Sequence, residues 1–278
     1  MSKVSNSDRL AAIDWENAML QSGRILQFAY LVVAFAVVVV LFQLQQKRGF
    51  VPKMRRLAAL DAIEEVVGRA TEMGRPIHVS PGTPSLGESI EVETIAGLAV
   101  TGYVAKLCAR YGVRCIATAF LPEMLPVVQE VVRQAYIAEA KPDAYKEEDV
   151  RYLTDQLDAY ATAVQGIVER ENCAGNIVVG RLYGVSFMIF ARAAIGGRTM
   201  NIGGTAYYLN VPHLVATCDY VLIGEELFAA EAYLTQNPRQ LMSLFSQDIF
   251  KFVSMGLVVL GTLLFLAGSG AMVTLLRM

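Results

Sequence analysis

Two uncharged apolar runs stand near the ends of the chain, and the region between them alternates on a shorter period. From Ile25 to Leu44 the sequence ILQFAYLVVAFAVVVVLFQL carries no ionised side chain. At about 1.5 Å of rise per residue such a helix crosses a hydrocarbon core of about 30 Å, so the run predicts a transmembrane helix. Phe252 to Leu276 repeats the pattern, ends on Arg277 and predicts a second span. Ahead of the first run, Leu10, Ile13, Trp15, Met19 and Leu20 predict an amphipathic helix at the headgroups. Asp8, Asp14 and Glu16 mix charge into that segment and no small-residue cleavage site follows the run, which is therefore expected to be a retained anchor.

Between about Met54 and Gln247, short β-branched runs alternate with helical periods, the pattern of a parallel α/β sheet. Leu57 to Glu72 predicts an entry helix and Arg75 to Gly82 the first strand. Glu93 to Tyr111 predicts a helix stopped by Gly112, and Val113 to Phe120 a second strand. Two helices are expected next, Pro122 to Ala140 and Lys146 to Glu171, parted by Lys141, Pro142 and Asp143; this connection predicts an inserted helix pair. Asn176 to Val179, the run from Thr199 and the run from Asp219 supply the third, fourth and fifth strands. Helices are expected at Val185 to Ala194, around Pro212 and His213, and from Leu227 to Leu234. The expected fold is a Rossmann-like five-stranded parallel α/β sheet with an inserted helix pair, flanked by N- and C-terminal transmembrane helices. The corresponding segments are 1–24, 25–44, 45–250 and 251–278.

The strings EMGRPIHVSPG, GYVAKLCARYGVR, AKPDAYKEEDVRYL and CDYVLIGEELFAAEAYL extend this reading. They resemble an uncharacterised family of prokaryotic membrane proteins defined only as a domain of unknown function. The resemblance covers most of Ala58 to Ser246 and implies a bacterial or archaeal cytoplasmic membrane. It brings no activity and no residue roles, so none is carried onto this chain.

Composition agrees with an anchored globular domain. At 54% hydrophobic residues and a mean hydropathy of +0.42, the chain is more apolar than an ordinary soluble domain. A net charge of −2 removes the basic field with which nucleic-acid binders displace counterions, so no nucleic-acid partner is expected. Lys47, Arg48, Lys53, Arg55 and Arg56 follow the first span and Lys251 precedes the second, against Lys3, Arg9, Arg24 and Arg277 at the far ends. The positive-inside rule then puts the middle region in the cytoplasm and both termini outside. Cys108, Cys115, Cys173 and Cys218 form no CxxC pair and fit buried thiols in a reducing compartment. Neither span holds an Asp, Glu, Lys, Arg or His, which argues against an ion path through one copy. Gly256, Gly261, Gly268, Ser269 and Gly270 either let another helix approach closely or reflect the frequency of glycine in membrane helices.

In doubly wound sheets ligands bind at the carboxyl ends of the strands. Those ends are His78 to Gly87, Ala119 to Pro122, Gly180 to Gly184, Gly203 to Tyr207 and Gly224 to Glu226. His78, Ser80, Gly82, Arg181, Gly204, Thr205, Glu225 and Glu226 are the candidate ligand-binding residues. GxGxxG and Walker patterns are absent, Pro81 and Pro84 donate no amide hydrogen, and Glu88, Glu91, Glu93, Glu225 and Glu226 face one clear cation, Arg181. A nucleotide is disfavoured, a cationic, amine-bearing or neutral ligand is favoured, and no cofactor is expected. Acidic residues at helix starts ordinarily meet the helix dipole, and no Cys or His lies at zinc spacing, so no metal site is assigned. His78 and Ser80 share a strand face, yet a Ser80 nucleophile lacks an elbow sequence and a third residue; no catalytic residue is assigned. Cys218 beside Asp219 falls at the end opposite this crevice.

Tyr136, Tyr145, Tyr152 and Tyr160 decorate the expected helix pair with Leu153, Leu157, Val164 and Ile167 in a helical stripe. The stripe packs either on the domain's own sheet or, through Tyr136, Tyr152 and Tyr160, on a neighbouring subunit. The expected function is that of a membrane-anchored scaffold, bound to the lipid bilayer, that forms a homo-oligomer or docks with other subunits of a membrane complex. A ligand-binding or enzymatic domain acting at the strand carboxyl ends is the alternative.

Overall fold

The computed structural model describes residues 25–48, 56–83, 92–184, 186–235 and 238–267. In chain order the first elements are α1 (Ile25–Arg48), α2 (Ala58–Met73), β1 (Ile77–Gly82), α3 (Val92–Tyr111), β2 (Cys115–Ala119) and α4 (Met124–Ala138). Then come β3 (Val150–Tyr152), α5 (Leu157–Arg170), β4 (Gly175–Arg181), α6 (Ser186–Gly196) and β5 (Met200–Thr205). α7 (Val211–Thr217), β6 (Tyr220–Ile223), α8 (Glu225–Thr235) and α9 (Pro238–Leu266) follow. The chain divides into two compact units, one of residues 54–236 and one of residues 1–53 with 237–278.

Residues 54–236 form an α/β domain on a six-stranded, wholly parallel sheet in the order β3-β2-β1-β4-β5-β6. Strand side chains alternate between two faces, so each face must be covered. Ile77, Val79, Ala117, Ile177 and Ile202 pack with α2, α3, α4 and α8, while Ile116 and Val178 pack with α5, α6 and α7. Tyr233 donates to Asp61 at 2.5 Å, which joins the domain's last helix to the start of its first.

The sheet has six strands where the pattern predicts five, and the two helices expected after β2 are present as α4 and α5 but are parted by a strand and so are not an inserted pair. Lys146 to Glu171 is not one helix: a turn over Glu147–Asp149 leads into β3, and α5 begins at Leu157. The acidic run EED reads as a helix start, but Asp149 is buried and held by Arg114 at 2.6 Å, and Val150 pairs with Ala117 of β2. Tertiary pairing overrides the helical spacing. The connection is therefore an ordinary crossover through α4 to a short edge strand.

α3 lies against the sheet centre because Gly97 has no side chain. A Cβ there would come within 2.4 Å of the Val179 carbonyl oxygen and 3.2 Å of Pro81 Cα, both backbone atoms.

In the other unit, α1 and α9 pack together. The Tyr30 ring meets Phe250 edge-on at 6.5 Å, and Tyr30 OH is hydrogen-bonded to Ser254 Oγ at 3.2 Å. α9 starts at Pro238, and proline suits a first helical turn. Among the described residues, two stretches are long and apolar enough to cross a membrane, Val92–Tyr111 and Gln240–Leu263. The first is α3, more than half buried as the domain's core helix, and the second is almost wholly exposed. The segment with Leu10, Ile13, Trp15, Met19 and Leu20, the turn residues Gly87, Glu88 and Glu91, the flanking Lys53 and Arg55, and Gly268, Ser269, Gly270 and Arg277 lie outside the described residues.

The close approach of α3 gives a direct test. Gly97→Ala is expected to cost about 2 kcal/mol through overpacking. Gly68→Ala, on α2 with nothing within 4 Å of the new methyl, is expected to gain up to about 1 kcal/mol. Thermal unfolding of the two purified variants reads both signs.

Candidate functional site

The sheet order reverses between β1 and β4, which send their following helices, α3 and α6, to opposite faces. In open α/β sheets this is where a ligand crevice opens at the carboxyl edge. Here the two strand ends are laced together. Thr83 N–H donates to the Arg181 carbonyl at 2.7 Å, and Thr83 Oγ1 accepts from Tyr183 N–H at 3.3 Å. Gly82 and Gly180 both have positive φ, and a Cβ on either would strike the opposing backbone at 2.3 Å, on Arg181 O and Pro81 O respectively. Gly82, a sequence-predicted site residue, thus serves strand closure.

Above this floor sits a polar cluster. Arg181 lies with its guanidinium carbon 4.6 Å from the Tyr183 ring centre and 5.3 Å from that of Tyr207. Its Nη1 is 3.8 Å from Glu93 Oε1 in the first turn of α3. Thr205 Oγ1 donates to Glu93 Oε2 at 3.5 Å and accepts from Tyr207 N–H at 3.2 Å. The fold therefore brings Arg181 and Thr205 together as sequence reasoning expects, and adds Glu93, Tyr183 and Tyr207. Glu225 and Glu226 open α8 beyond β6, where they meet its dipole. Gly204 is buried inside β5, where a Cβ would press on Val179 and Leu222; it is a packing position.

His78 and Ser80 lie elsewhere, on the face covered by α5, α6 and α7, and both are buried. They belong to a hydrogen-bonded row that crosses β2, β1, β4 and β5, and its proton positions follow from its ends. Asn201 Nδ2 donates to the carbonyls of Thr217 (3.1 Å) and Phe190 (3.4 Å), which can only accept. Asn201 Oδ1 is left to accept from Asn176 Nδ2 at 3.3 Å. Asn176 Oδ1 then accepts from His78 Nδ1–H at 2.8 Å, which fixes the tautomer. The neutral ring accepts at Nε2 from the Thr118 hydroxyl (2.9 Å), and Thr118 accepts from Tyr160 OH (2.9 Å). Tyr160 accepts from Ser80 (2.7 Å), whose oxygen accepts from Gly82 N–H (3.1 Å). Every hydrogen bond points the same way along the row.

This arrangement removes His78 and Ser80 from chemistry. Two hydroxyls separate them, the basic nitrogen of His78 is occupied, and burial lowers its pKa to about 4. Neither is at the carboxyl rim, so of the expected ligand-binding set Arg181 and Thr205 remain at the cluster. Thr118, Asn176 and Asn201 carry no local signal in the sequence. Their common feature is a polar side chain at alternate positions of buried strands.

The tyrosines separate too. Tyr160 is fully buried in the row, with its ring edge-on to Phe120 at 5.3 Å. Tyr136 is buried against Tyr145 at 6.1 Å, and burial raises its hydroxyl pKa. Tyr152 on β3 is 37% exposed and faces outward.

Open concavities lie at the amino edge. One of about 470 Å³ is lined by Arg69, Met73, Arg198, Met200, Cys218 and Asp219. Asp219 is held there as acceptor of Asn201 N–H at 2.7 Å, and burial pushes the Cys218 thiol up to about 12. Another of about 360 Å³ lies between Gly74, Gly112, Arg114 and Glu171. Among the described residues no group of three His, Cys, Asp or Glu converges as metal ligands would.

Fold and site together define an α/β domain on a parallel sheet joined to a long exposed apolar helix. The chain belongs to the family described as Domain of unknown function (DUF6754), whose model matches residues 16–275. No curated protein and no solved structure matches it.

The neutral imidazole makes stability depend on pH. Its pKa is lower in the folded domain than the usual value near 6.5, so its contribution is full above about pH 6.5 and is lost as pH falls toward 4. Between pH 7 and pH 5 the domain is expected to lose about 2 kcal/mol from this residue alone. Denaturant melts at the two pH values read the loss, and His78→Gln is expected to remove most of the slope.

Proposed function

We propose that this chain is a membrane-anchored module that works by assembly, through a Rossmann-like domain facing the cytoplasm. Exposed apolar surface on the domain carries the reading. Tyr208, Leu209, Val215 and Ile223 are 73%, 53%, 60% and 41% exposed, and all four lie on β6 or on the connection leading into it. Single exposed apolar residues are ordinary, whereas several on consecutive elements mark a surface that another protein covers. The strand order 3-2-1-4-5-6 supports the Rossmann-like description. The uncharged runs 25–44 and 252–276 support two transmembrane anchors, and the basic residues beside them support the orientation.

Arg181 supports a second reading, in which the carboxyl edge holds a small molecule. It joins two tyrosine rings and a carboxylate, and the neighbouring Thr94 hydroxyl, fully buried in the first turn of α3, finds no hydrogen-bond partner among the described residues. Such a hydroxyl is ordinarily satisfied.

Native mass spectrometry of the full chain, extracted gently from its own membrane, separates the two. Assembly predicts a defined oligomer with no added mass. A monomer contradicts it, and a monomer carrying stoichiometric extra mass that Arg181→Met abolishes transfers the function to the carboxyl edge.

A further inference from the structure

The hydrogen-bonded row across the sheet has two unlike halves. Beyond Nδ1 of His78 the groups are amides, and both hydrogens on Asn201 Nδ2 are committed to backbone carbonyls, so nothing there hands a proton on. Beyond Nε2 the groups are the hydroxyls of Thr118, Tyr160 and Ser80, each able to donate and accept at once. Steps of 2.9, 2.9 and 2.7 Å join them to the ring and to one another, and all three hydrogens point toward the ring. At the far end, the pairing of β1 with β4 shifts register between Ser80 and Gly82. Such a bulge re-aims a side chain. Ser80 Oγ lies 3.1 Å from the Gly82 amide nitrogen, which donates to it, and 3.4 Å from the Gly82 carbonyl oxygen, which can accept from it.

We propose that the hydroxyl half of the row is an acid-driven switch, which relays one proton from Ser80 at the end of β1 to the buried ring of His78 and reverses as a unit in doing so. A hydronium ion gives its proton to Ser80 Oγ and leaves as water. The hydrogen of Ser80 passes to Tyr160, that of Tyr160 to Thr118, and that of Thr118 to Nε2. Each hydroxyl loses one O–H bond and gains another, and one N–H bond forms on the ring. The row then runs the other way: Nε2–H donates to Thr118, Thr118 to Tyr160, Tyr160 to Ser80, and Ser80 to the Gly82 carbonyl. Nδ1–H still donates to Asn176, so the imidazolium keeps both donors bonded and no hydroxyl hydrogen is stranded.

The groups that face the ring are Thr118 from β2, Asn176 from β4 and, through Thr118, Tyr160 from α5, whose hydroxyl burial keeps protonated. α6 and α7 turn the apolar Ile189, Phe190 and Leu214 into this face. The ring pKa is set by burial and by Asn176, with no ionised side chain acting on it. The relay moves the point of proton entry from a ring sealed under helices to the carboxyl edge of the sheet. It lies wholly within the domain and needs neither a partner nor a membrane, so it goes beyond the assembly above without resting on it.

The test is an acid titration of the full chain in nanodiscs, with nitrogen NMR of its labelled histidines reading the charge on the ring and near-ultraviolet circular dichroism following the fold. With a ring pKa of about 4, half of the His78 rings are expected to be charged at that pH in a folded domain. Tyr160→Phe leaves the neutral row bonded, because Thr118 still donates to Nε2 and Ser80 turns to the Gly82 carbonyl, but it strands the Thr118 hydrogen once the ring is charged. It is expected to lower the ratio of charged to neutral rings at pH 4 by about tenfold or more. Ser80→Ala, two hydroxyls away from the ring, is expected to lower the ratio in the same direction, and as the smaller change it carries the test alone if Tyr160→Phe does not fold. A packing role for Tyr160 predicts the opposite sign, since a loosened core wets the ring and moves its pKa up toward 6.5. A ratio that is unchanged or raised in either folded variant, or an unmodified ring that becomes charged only as the fold is lost, overturns the switch.

Discussion

A parallel sheet covered on both faces cannot leave a polar side chain unanswered, and the centre of this domain is organised around that constraint. His78, Thr118, Asn176 and Asn201 lie on four strands of one face with no access to water. Each unmet hydrogen bond there costs about 1–3 kcal/mol, so the row is tolerable only if every donor finds an acceptor. Register supplies the match: His78 stands opposite Asn176, and Asn176 opposite Asn201. Backbone carbonyls close one end and the Gly82 amide the other, leaving one consistent set of proton positions. The row therefore specifies which strands pair and in what register, which apolar packing alone leaves less sharply defined.

The same constraint accounts for where function is not. A histidine whose basic nitrogen is engaged and whose ring is sealed from water cannot exchange protons with a substrate, and the neighbouring serine is likewise committed. Lacing of β1 to β4 by Thr83, Gly82 and Gly180 then closes the floor of the crevice that such a sheet order normally opens. What the domain offers outward is the compact Arg181 cluster at one edge and the apolar surface about β6.

Much of this architecture is legible in the sequence, because β1, β2, β4, β5 and β6 are short β-branched or glycine-containing runs framed by helical periods. β3 is not, since Val150-Arg151-Tyr152 is short and continues a helical stripe through Leu153, Leu157 and Tyr160; only its pairing with β2 and the grip of Arg114 on Asp149 make it a strand. Arg181 and Thr205 follow from strand ends, which topology brings to one edge. The role of His78 does not follow, because its partners Thr118 and Asn176 lie 40 and 98 positions away. Alternation gives the shared face of His78 and Ser80 but cannot say that Tyr160, on a helix, stands between them. Burial of Tyr136 and Tyr160 is equally a tertiary outcome, as an amphipathic ring suits a core with one hydroxyl partner as well as it suits an interface.

The most direct test is the protonation state of the His78 ring, read by nitrogen NMR on the chain labelled at its two histidines, with His78→Gln to assign the signals. The account predicts a neutral ring carrying its proton on Nδ1, unchanged as the pH is lowered from 7 to about 5.5. A ring protonated on Nε2, or one that titrates with an ordinary pKa near 6.5, would contradict the directional row and return His78 to the list of groups free to do chemistry.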